Sequence, residues 1–533
     1  MLGEPLRIGL LVKNEVVSRH VHDLIGWIQA QGNMRLECVL VRERGGAAPR
    51  RLAEGVYAAL SRQIFRAVER LEGVLLGRNA RYSGFDRMVD VRSTVKNVVD
   101  LQAGTTAPFD SAQLDVLLAP EGDDQLEEFA STARLGVWTV EYSGHSHLRT
   151  GPIGFWEVFA REDSTAFSVC RYAPDSGKEV LLRGRLPTRH YFVLNRTVLL
   201  DRAHHYLKAL LQRVATPGSA PPAAAAAALP DDAAPAGMPT ALQTLAYAGR
   251  MAGAMLRKRV QRLMGKEYCW EVSFARDNWT RAVLRDATVI ENPSGRYIAD
   301  PFVIQRDGRD ICFVEDYDRT SGRGRISAFE MNGSSSVCLG PVIEENFHLS
   351  FPYLFEFDGN LYMCPESSEN RDIRLYRCSG FPMAWKLEKI IMSNVSAADS
   401  MLFEREGIWW MLTNIDPCGS GDHCSELFAF HAKSPLDESW TPHANNPLLV
   451  DSRSARNGGL LRDGKTIFRV SQRQGFDRYG KGSQINEILD LTDEDYKESC
   501  VAAIRPSFRR GLEGTHHMHS SGGITVVDSL RLS

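Results

Sequence analysis

The sequence predicts a chain in two parts: a parallel α/β domain first, then an all-β five-bladed propeller. Three observations predict this. The first 215 or so residues alternate strand-like and helix-like apolar patterns, the order that builds a parallel sheet. Residues 216–239 read TPGSAPPAAAAAALPDDAAPAGMP, a Pro/Ala/Gly-dominated run with no periodic apolar face, which marks a linker. Behind it, four strand–turn–strand units recur at a period near 50 residues. A chain of 533 residues, 43% hydrophobic and 24% charged, has room for two or three such domains.

In the first part, Ile8–Val12 is a short apolar strand. Val17–Gln31 has helical spacing through Val21, Leu24, Ile25 and Ile28. Leu36–Val41 is a second strand, Arg51–Leu76 a long helical stretch and Leu114–Ala119 another buried strand. The domain is set at 1–215 and the linker at 216–240. A basic helix over 241–267 follows, with Arg257, Lys258, Arg259, Arg262 and Lys266 clustered at its end. That helix reads as a solvated connector or as a peripheral membrane contact through 242–266, since basic charge with Leu and Met on one helix suits an anionic interface.

The propeller is set at 268–533. Its units are ADPFVIQRDGRDICFVED (299–316), SFPYLFEFDGNLYMCPES (350–367), ADSMLFEREGIWWMLTN (398–414) and NGGLLRDGKTIFRVSQ (457–472). The turn glycines Gly308, Gly359, Gly407 and Gly464 are spaced 51, 48 and 57 residues apart. Asp-Gly and Glu-Gly between apolar strands are hairpin signals. A weaker unit, GGITVVDSLRL (522–532), is expected to close the ring.

A propeller aims the innermost strands of all its blades at one central channel. The repeat therefore gathers equivalent positions around one mouth. First strands begin at Asp300, Phe351-Pro352, Asp399 and Asn457, and second strands end at Glu315-Asp316, Glu366, Asn414 and Gln472. Converging carboxylates suit glycosyl chemistry, in which one group handles a proton at the glycosidic oxygen and another activates a nucleophile or supports an oxocarbenium-like state. The same acids could instead cap strands. Phe302, Tyr317, Tyr353, Trp409 and Trp410 would stack on a sugar or fill the space between blades. Arg456, Arg469 and Arg473 would clamp a phosphate or pair on the surface.

A net charge of −3 gives no electrostatic reason to expect nucleic acid. The ten cysteines form no C-x-x-C pair, so no zinc site and a reducing compartment are expected. His516-His-Met-His519 is not a standard metal spacing, and no metal is assigned. The short apolar start is broken by Lys13 and Asn14, unlike a signal peptide, and a cytoplasmic location is expected, extending to the inner face of the membrane if the basic helix docks there.

The Ala-Asp-Pro-Phe start, the Phe-Pro-Tyr…Met-Cys-Pro-Glu-Ser unit and Arg456-Asn-Gly-Gly resemble the N-terminal domain of glucosamine inositolphosphorylceramide transferases. So do Ser471-Gln472, Gln484-Ile-Asn-Glu487 and Gly514-Thr-His516. That domain in turn resembles the five-bladed arabinanase, levansucrase and invertase superfamily. The resemblance implies a nucleophile or base at Asp300, a transition-state-supporting acid at Asp399 and a proton donor at Glu366 or Glu426. Glu315, Glu426, Arg456, Gln472, Asn486 and His516 are expected to contact the substrate. The Arg-Asp-Pro context of sucrose enzymes is absent around Asp399.

Residues 136–182 resemble the catalytic segment of folate-dependent formyltransferases, which implies a Rossmann-type, formyltransferase-like fold for the first part. Thr139 stands where that family has Asn, Glu141 where it has His, and Asp175 matches its catalytic Asp. These departures remove general acid/base and oxyanion support, so formyl transfer and folate are not expected. His145 and His147 lie close enough in sequence to compensate.

The resulting expectation is a bacterial carbohydrate-active enzyme, a glycosyltransferase in surface glycan or glycolipid assembly, with a nucleotide sugar as candidate donor. Three alternatives stand beside it: an intracellular glycoside hydrolase, a non-catalytic sugar-binding scaffold and an amino-sugar formyltransferase.

Overall fold

The computed structural model describes residues 4–42, 55–76, 88–101, 114–122, 125–142, 151–216 and 237–532. It divides into two compact units, 1–256 and 257–533. Most of the linker and the His145/His147 segment lie outside the described residues. Among the described residues, no helix is long and apolar enough to cross a membrane.

The first unit is built on a seven-stranded sheet. Its strands are β1 (Leu6–Val12), β2 (Met34–Arg42), β3 (Val98–Leu101), β4 (Val116–Ala119), β5 (Val137–Tyr142), β6 (Ser164–Ala173) and β7 (Gly177–Pro187), in the order β3-β2-β1-β4-β5-β6-β7. The first five pair in parallel, as the strand–helix alternation predicts, while β6 and β7 add an antiparallel hairpin. β1 and β4 are almost wholly buried, which is why they read as continuous apolar runs. Helices α1 (Arg19–Gln29), α2 (Val56–Leu76), α3 (Phe155–Ala160) and α4 (Phe192–Val214) accompany the sheet.

The basic helix expected over 241–267 is α5 (Ala241–Leu263). Its N-terminal part belongs to the first unit. Tyr247 donates its hydroxyl to Glu72 of α2 at 2.7 Å and accepts the Phe192 N–H of α4 at 2.9 Å, while the Ala241 N–H donates to Ser61.

The second unit contains five sheets, hence five blades. Blades 2 and 3 are four-stranded meanders from Arg296 to Ile343 and from Ser350 to Ser393. Blade 4 begins at Ala397, and blade 5 runs from Asn457 to Ile504. Blade 1 closes the ring from both chain ends: Tyr268–Ala275 pairs antiparallel with Ile524–Leu532, which pairs in turn with Met518–Ser521. The weak terminal repeat is therefore the closing unit. Joining distant segments in one sheet removes an exposed edge.

Three of the four hairpin turns place both central residues at positive φ: Asp307/Gly308 (53°, 72°), Asp358/Gly359 (47°, 70°) and Glu406/Gly407 (57°, 82°). That is the type I′ geometry whose twist matches paired strands, and it explains the Asp-Gly and Glu-Gly signature. Apolar faces of neighbouring blades interlock around Phe302, Phe351, Tyr353, Met401 and Trp410.

Candidate active site at the propeller mouth

The inner strands of blades 2 to 5 carry a bulge at the same place. Pairing slips between Ala299 and Phe302, Ser350 and Tyr353, Ala398 and Met401, and Asn457 and Leu460. Within it, Asp300, Phe351 and Asp399 adopt φ of 49°, 45° and 49°, and the equivalent position in blade 5 is Gly458. A left-handed non-glycine residue costs about 1–2 kcal/mol. A bulge re-aims a side chain, and here the repeat applies that device to two acids at once.

Asp399 is nearly sealed from solvent. Its carboxylate accepts from Arg456 Nε at 2.7 Å and Nη2 at 3.3 Å, and from Gln472 Nε2 at 3.1 Å. The same guanidinium reaches Glu366 at 3.5 Å, and Ser368 donates to Glu366 at 2.7 Å. Asn457 supports the arrangement by donating its amide to the Asp399 carbonyl at 2.9 Å. Arg456 is thus a buried cation bridging two acids.

The opposite wall is built on His516. Its Nε2 lies 3.1 Å from Asp300, and its Nδ1 lies 2.8 Å from Asp528 in the closing strand. Asp528, fully buried, also accepts the backbone N–H groups of His516 and His517, both at 3.0 Å. Burial opposes charge on His516, yet the Asp528 and Asp300 carboxylates hold its pKa up to about 10. Burial pushes neighbouring His517 down to about 3, so it stays neutral. Aromatic rings join the two groups. Trp270 and Tyr479 lie 4.0 and 5.1 Å from His516, and Tyr479 sits 5.1 Å from the Arg456 guanidinium.

Glu315, on the second strand of blade 2, has a different environment. Burial, then the Asp300 and Glu366 charges, push its carboxyl well above the ordinary range. Its polar neighbour is His348 at 3.5 Å. Burial also acts on Glu366, but Arg456 and His423 outweigh it and hold that carboxyl below its ordinary value. Two carboxyls in one mouth are therefore pushed apart, the condition for dividing acid and base roles.

Asp300, His516 and Asp528 lie close enough together to suggest a cation site. The two ring nitrogens, however, face different carboxylates at direct-contact distance. An ion held by Nε2 and Asp300 would leave the Nδ1–Asp528 link in place as its support. With a proton on each nitrogen the trio is a carboxylate–imidazolium–carboxylate chain.

The structure brings together Asp300, Glu315, Glu366, Asp399, Arg456, Gln472 and His516 from the sequence expectation. It does not bring the others. Glu426 is buried in the third strand of blade 4, out from the axis. Asn486 donates to Ser471 at 2.8 Å and acts as a strut within blade 5. Arg469 is fully buried against Glu498 and the Ser454 carbonyl, so it is no phosphate clamp. Of the proposed stacking rings, Phe302, Tyr353 and Trp410 are core, and Trp409 packs on Phe355 and Phe357. Tyr317 stacks on Tyr297 at 4.7 Å, near His348. Trp270, Tyr479, His348, His423 and Asp528 were not found from sequence. None stands at a repeated motif position, although Asp528 sits inside the quoted terminal unit.

In the first unit, Thr139 donates to the Ala119 carbonyl at 2.7 Å. Glu141 pairs with Lys178 at 2.8 Å. Asp175 lies in the exposed turn between β6 and β7. Thr139 and Glu141 share one face of β5, and Asp175 lies beyond that strand's other end.

A protein described as glucosamine inositolphosphorylceramide transferase 1 from Arabidopsis thaliana is 36% identical over 222 residues, covering 40% of this chain and 28% of that protein. Its namesake from Oryza sativa subsp. japonica is 31% identical over 270 residues, covering 47% and 35%. The chain thus spans about a third of these relatives' length. Both are plant proteins, which lends no support to the expected bacterial source. Among solved structures, the catalytic domain of a Coprinopsis cinerea GH62 α-L-arabinofuranosidase aligns at 12% identity and TM-score 0.34, over 44% of this chain and 90% of that one. A family 117 glycoside hydrolase of Zobellia galactanivorans aligns at 10% and 0.33, over 50% and 91%. Likeness at that level carries no conclusion about activity. Residues 273–518 match the family model described as glucosamine inositolphosphorylceramide transferase 1, N-terminal, and it is to this family that the propeller of the chain is shown to be similar.

Proposed function

We propose that the propeller mouth binds a sugar substrate and that the chain is a glycosyltransferase in glycolipid or cell-surface glycan assembly. The observation that carries this reading is the split between Glu315 and Glu366 in a mouth that also holds Asp300, Asp399 and a buried arginine. Glu315, kept protonated, can donate a proton to the leaving-group oxygen as the anomeric bond breaks. Glu366, kept ionised, can accept the proton of the acceptor hydroxyl as the new bond forms. Trp270 and Tyr479 offer faces for stacking. The transferase names of the plant relatives support transfer, with a nucleotide sugar as candidate donor.

A thermal-shift screen of the full chain tests this, because a ligand of the native state raises Tm by mass action. Stabilisation by a nucleotide sugar, lost in Arg456→Ala, is the expected result. Stabilisation by free sugars only, with sugar release from a chromogenic glycoside lost in Asp300→Asn, would replace it with the hydrolase reading. That alternative draws on the same split carboxyls.

The first unit we propose to be a formyltransferase-like domain without formyl transfer. The reading rests on its β3-β2-β1-β4-β5 parallel order and on the engaged Thr139 and Glu141. Folate-dependent labelling that disappears in Asp175→Asn would overturn it.

A further inference from the structure

We infer that the C-terminal turns of α5 form a docking surface for an anionic lipid membrane. Residues 241–266 contain six Lys/Arg and no Asp or Glu, in a chain whose net charge is −3. None of residues 252–266 is buried. Yet this stretch carries Leu256, Val260, Leu263 and Met264 at 63%, 43%, 80% and 63% exposure. Their i, i+4, i+7, i+8 spacing puts them on one helical stripe, which continues through the exposed Leu242 and Leu245.

The stripe does not belong to the face that packs in the first unit. That face presents Thr244, Tyr247 and Met251. At about 100° per residue, the stripe lies roughly 150° around the helix from it. At 1.5 Å per residue, Leu242 to Leu263 gives a straight apolar line about 32 Å long. Arg257 and Arg259 fall on its two flanks. Apolar side chains below the headgroups, with long cationic side chains snorkelling to phosphates on either side, fit a planar anionic interface. A second copy of this helix fits worse, because it would set its own six Lys/Arg, of which, among the described residues, Lys258 alone pairs with a carboxylate (Asp477), against six like charges.

The test is co-sedimentation of the full chain with phosphatidylcholine vesicles and with phosphatidylcholine–phosphatidylglycerol vesicles. The expected result is binding to the anionic vesicles only, weakening with salt. It should fall roughly tenfold or more in Leu256→Ser/Leu263→Ser and in Arg257→Glu/Arg259→Glu. These positions are exposed, so Tm and helical content should not change. Three results would each overturn the inference: no binding to anionic vesicles at low salt, binding unaffected by the leucine pair, or a solution dimer that the leucine pair dissolves.

Discussion

Replacing Asp528 by Asn tests the carboxylate–imidazolium–carboxylate chain directly. Asp528 is an isosteric target, because the amide keeps the carbonyl oxygen that accepts the His516 and His517 N–H groups. What it removes is the negative charge 2.8 Å from His516 Nδ1. The gap between the ordinary histidine pKa of 6.5 and about 10 amounts to about 5 kcal/mol at ~1.4 kcal/mol per tenfold, the net of attraction by both carboxylates over the opposing cost of burial. Breaking a buried pair costs about 3–5 kcal/mol. The sign follows from the direction. A histidine whose folded pKa is raised lends stability that is fully present below about 6.5 and lost as pH climbs through about 10. The propeller should therefore lose stability between neutral and alkaline pH, and Asp528→Asn should lower the neutral value and flatten that slope. Thermal unfolding from pH 6 to about 10 reads the stability, and imidazole resonances of 15N-histidine-labelled protein read the charge. Wild-type His516 titrating near its ordinary value, or Asp528→Asn unfolding within about 0.5 kcal/mol of wild type at pH 7, would refute the reasoning.

Two further predictions concern the first unit and the propeller mouth. Glu72, buried among α2, α4 and α5, has its pKa raised to about 7 by burial despite hydrogen bonds from Tyr247 and Val193. A carboxyl raised in the folded state costs stability as pH rises from its ordinary value through about 7, so Glu72→Gln should raise Tm at pH 8 by the equivalent of about 1–3 kcal/mol and leave it unchanged at pH 4. A Cβ on Gly458 would sit 2.3 Å from the His516 carbonyl, so Gly458→Ala should destabilise the propeller by about 2 kcal/mol or more and weaken sugar-induced stabilisation. Tm scans with and without ligand measure both effects.

The sequence alone determined the repeat, and with it the ring. Asp-Gly and Glu-Gly turns need positive φ at two successive residues, a local demand that leaves a local trace at Gly308, Gly359 and Gly407. Because the period is regular, Asp300, Asp399, Glu315 and Glu366 could be assigned to one mouth without coordinates. The alternation β1–α1–β2 was legible for the same reason, since buried parallel strands and amphipathic helices write their burial into consecutive residues. The tertiary structure decided what no local pattern encodes. Arg456 reads as a surface or phosphate-binding residue until Asp399 and Glu366 are placed against it. The proton distribution between Glu315 and Glu366 depends on where that one cation sits, and on Asp300 and His516 arriving from opposite ends of the propeller sequence. Asp528 is an ordinary polar residue in a weak terminal repeat until ring closure sets it behind His516. Charge interactions act through space over a few ångströms, whereas sequence patterns report only neighbours along the chain. The frame of the site could therefore be read from the sequence, and its electrostatics only from the fold.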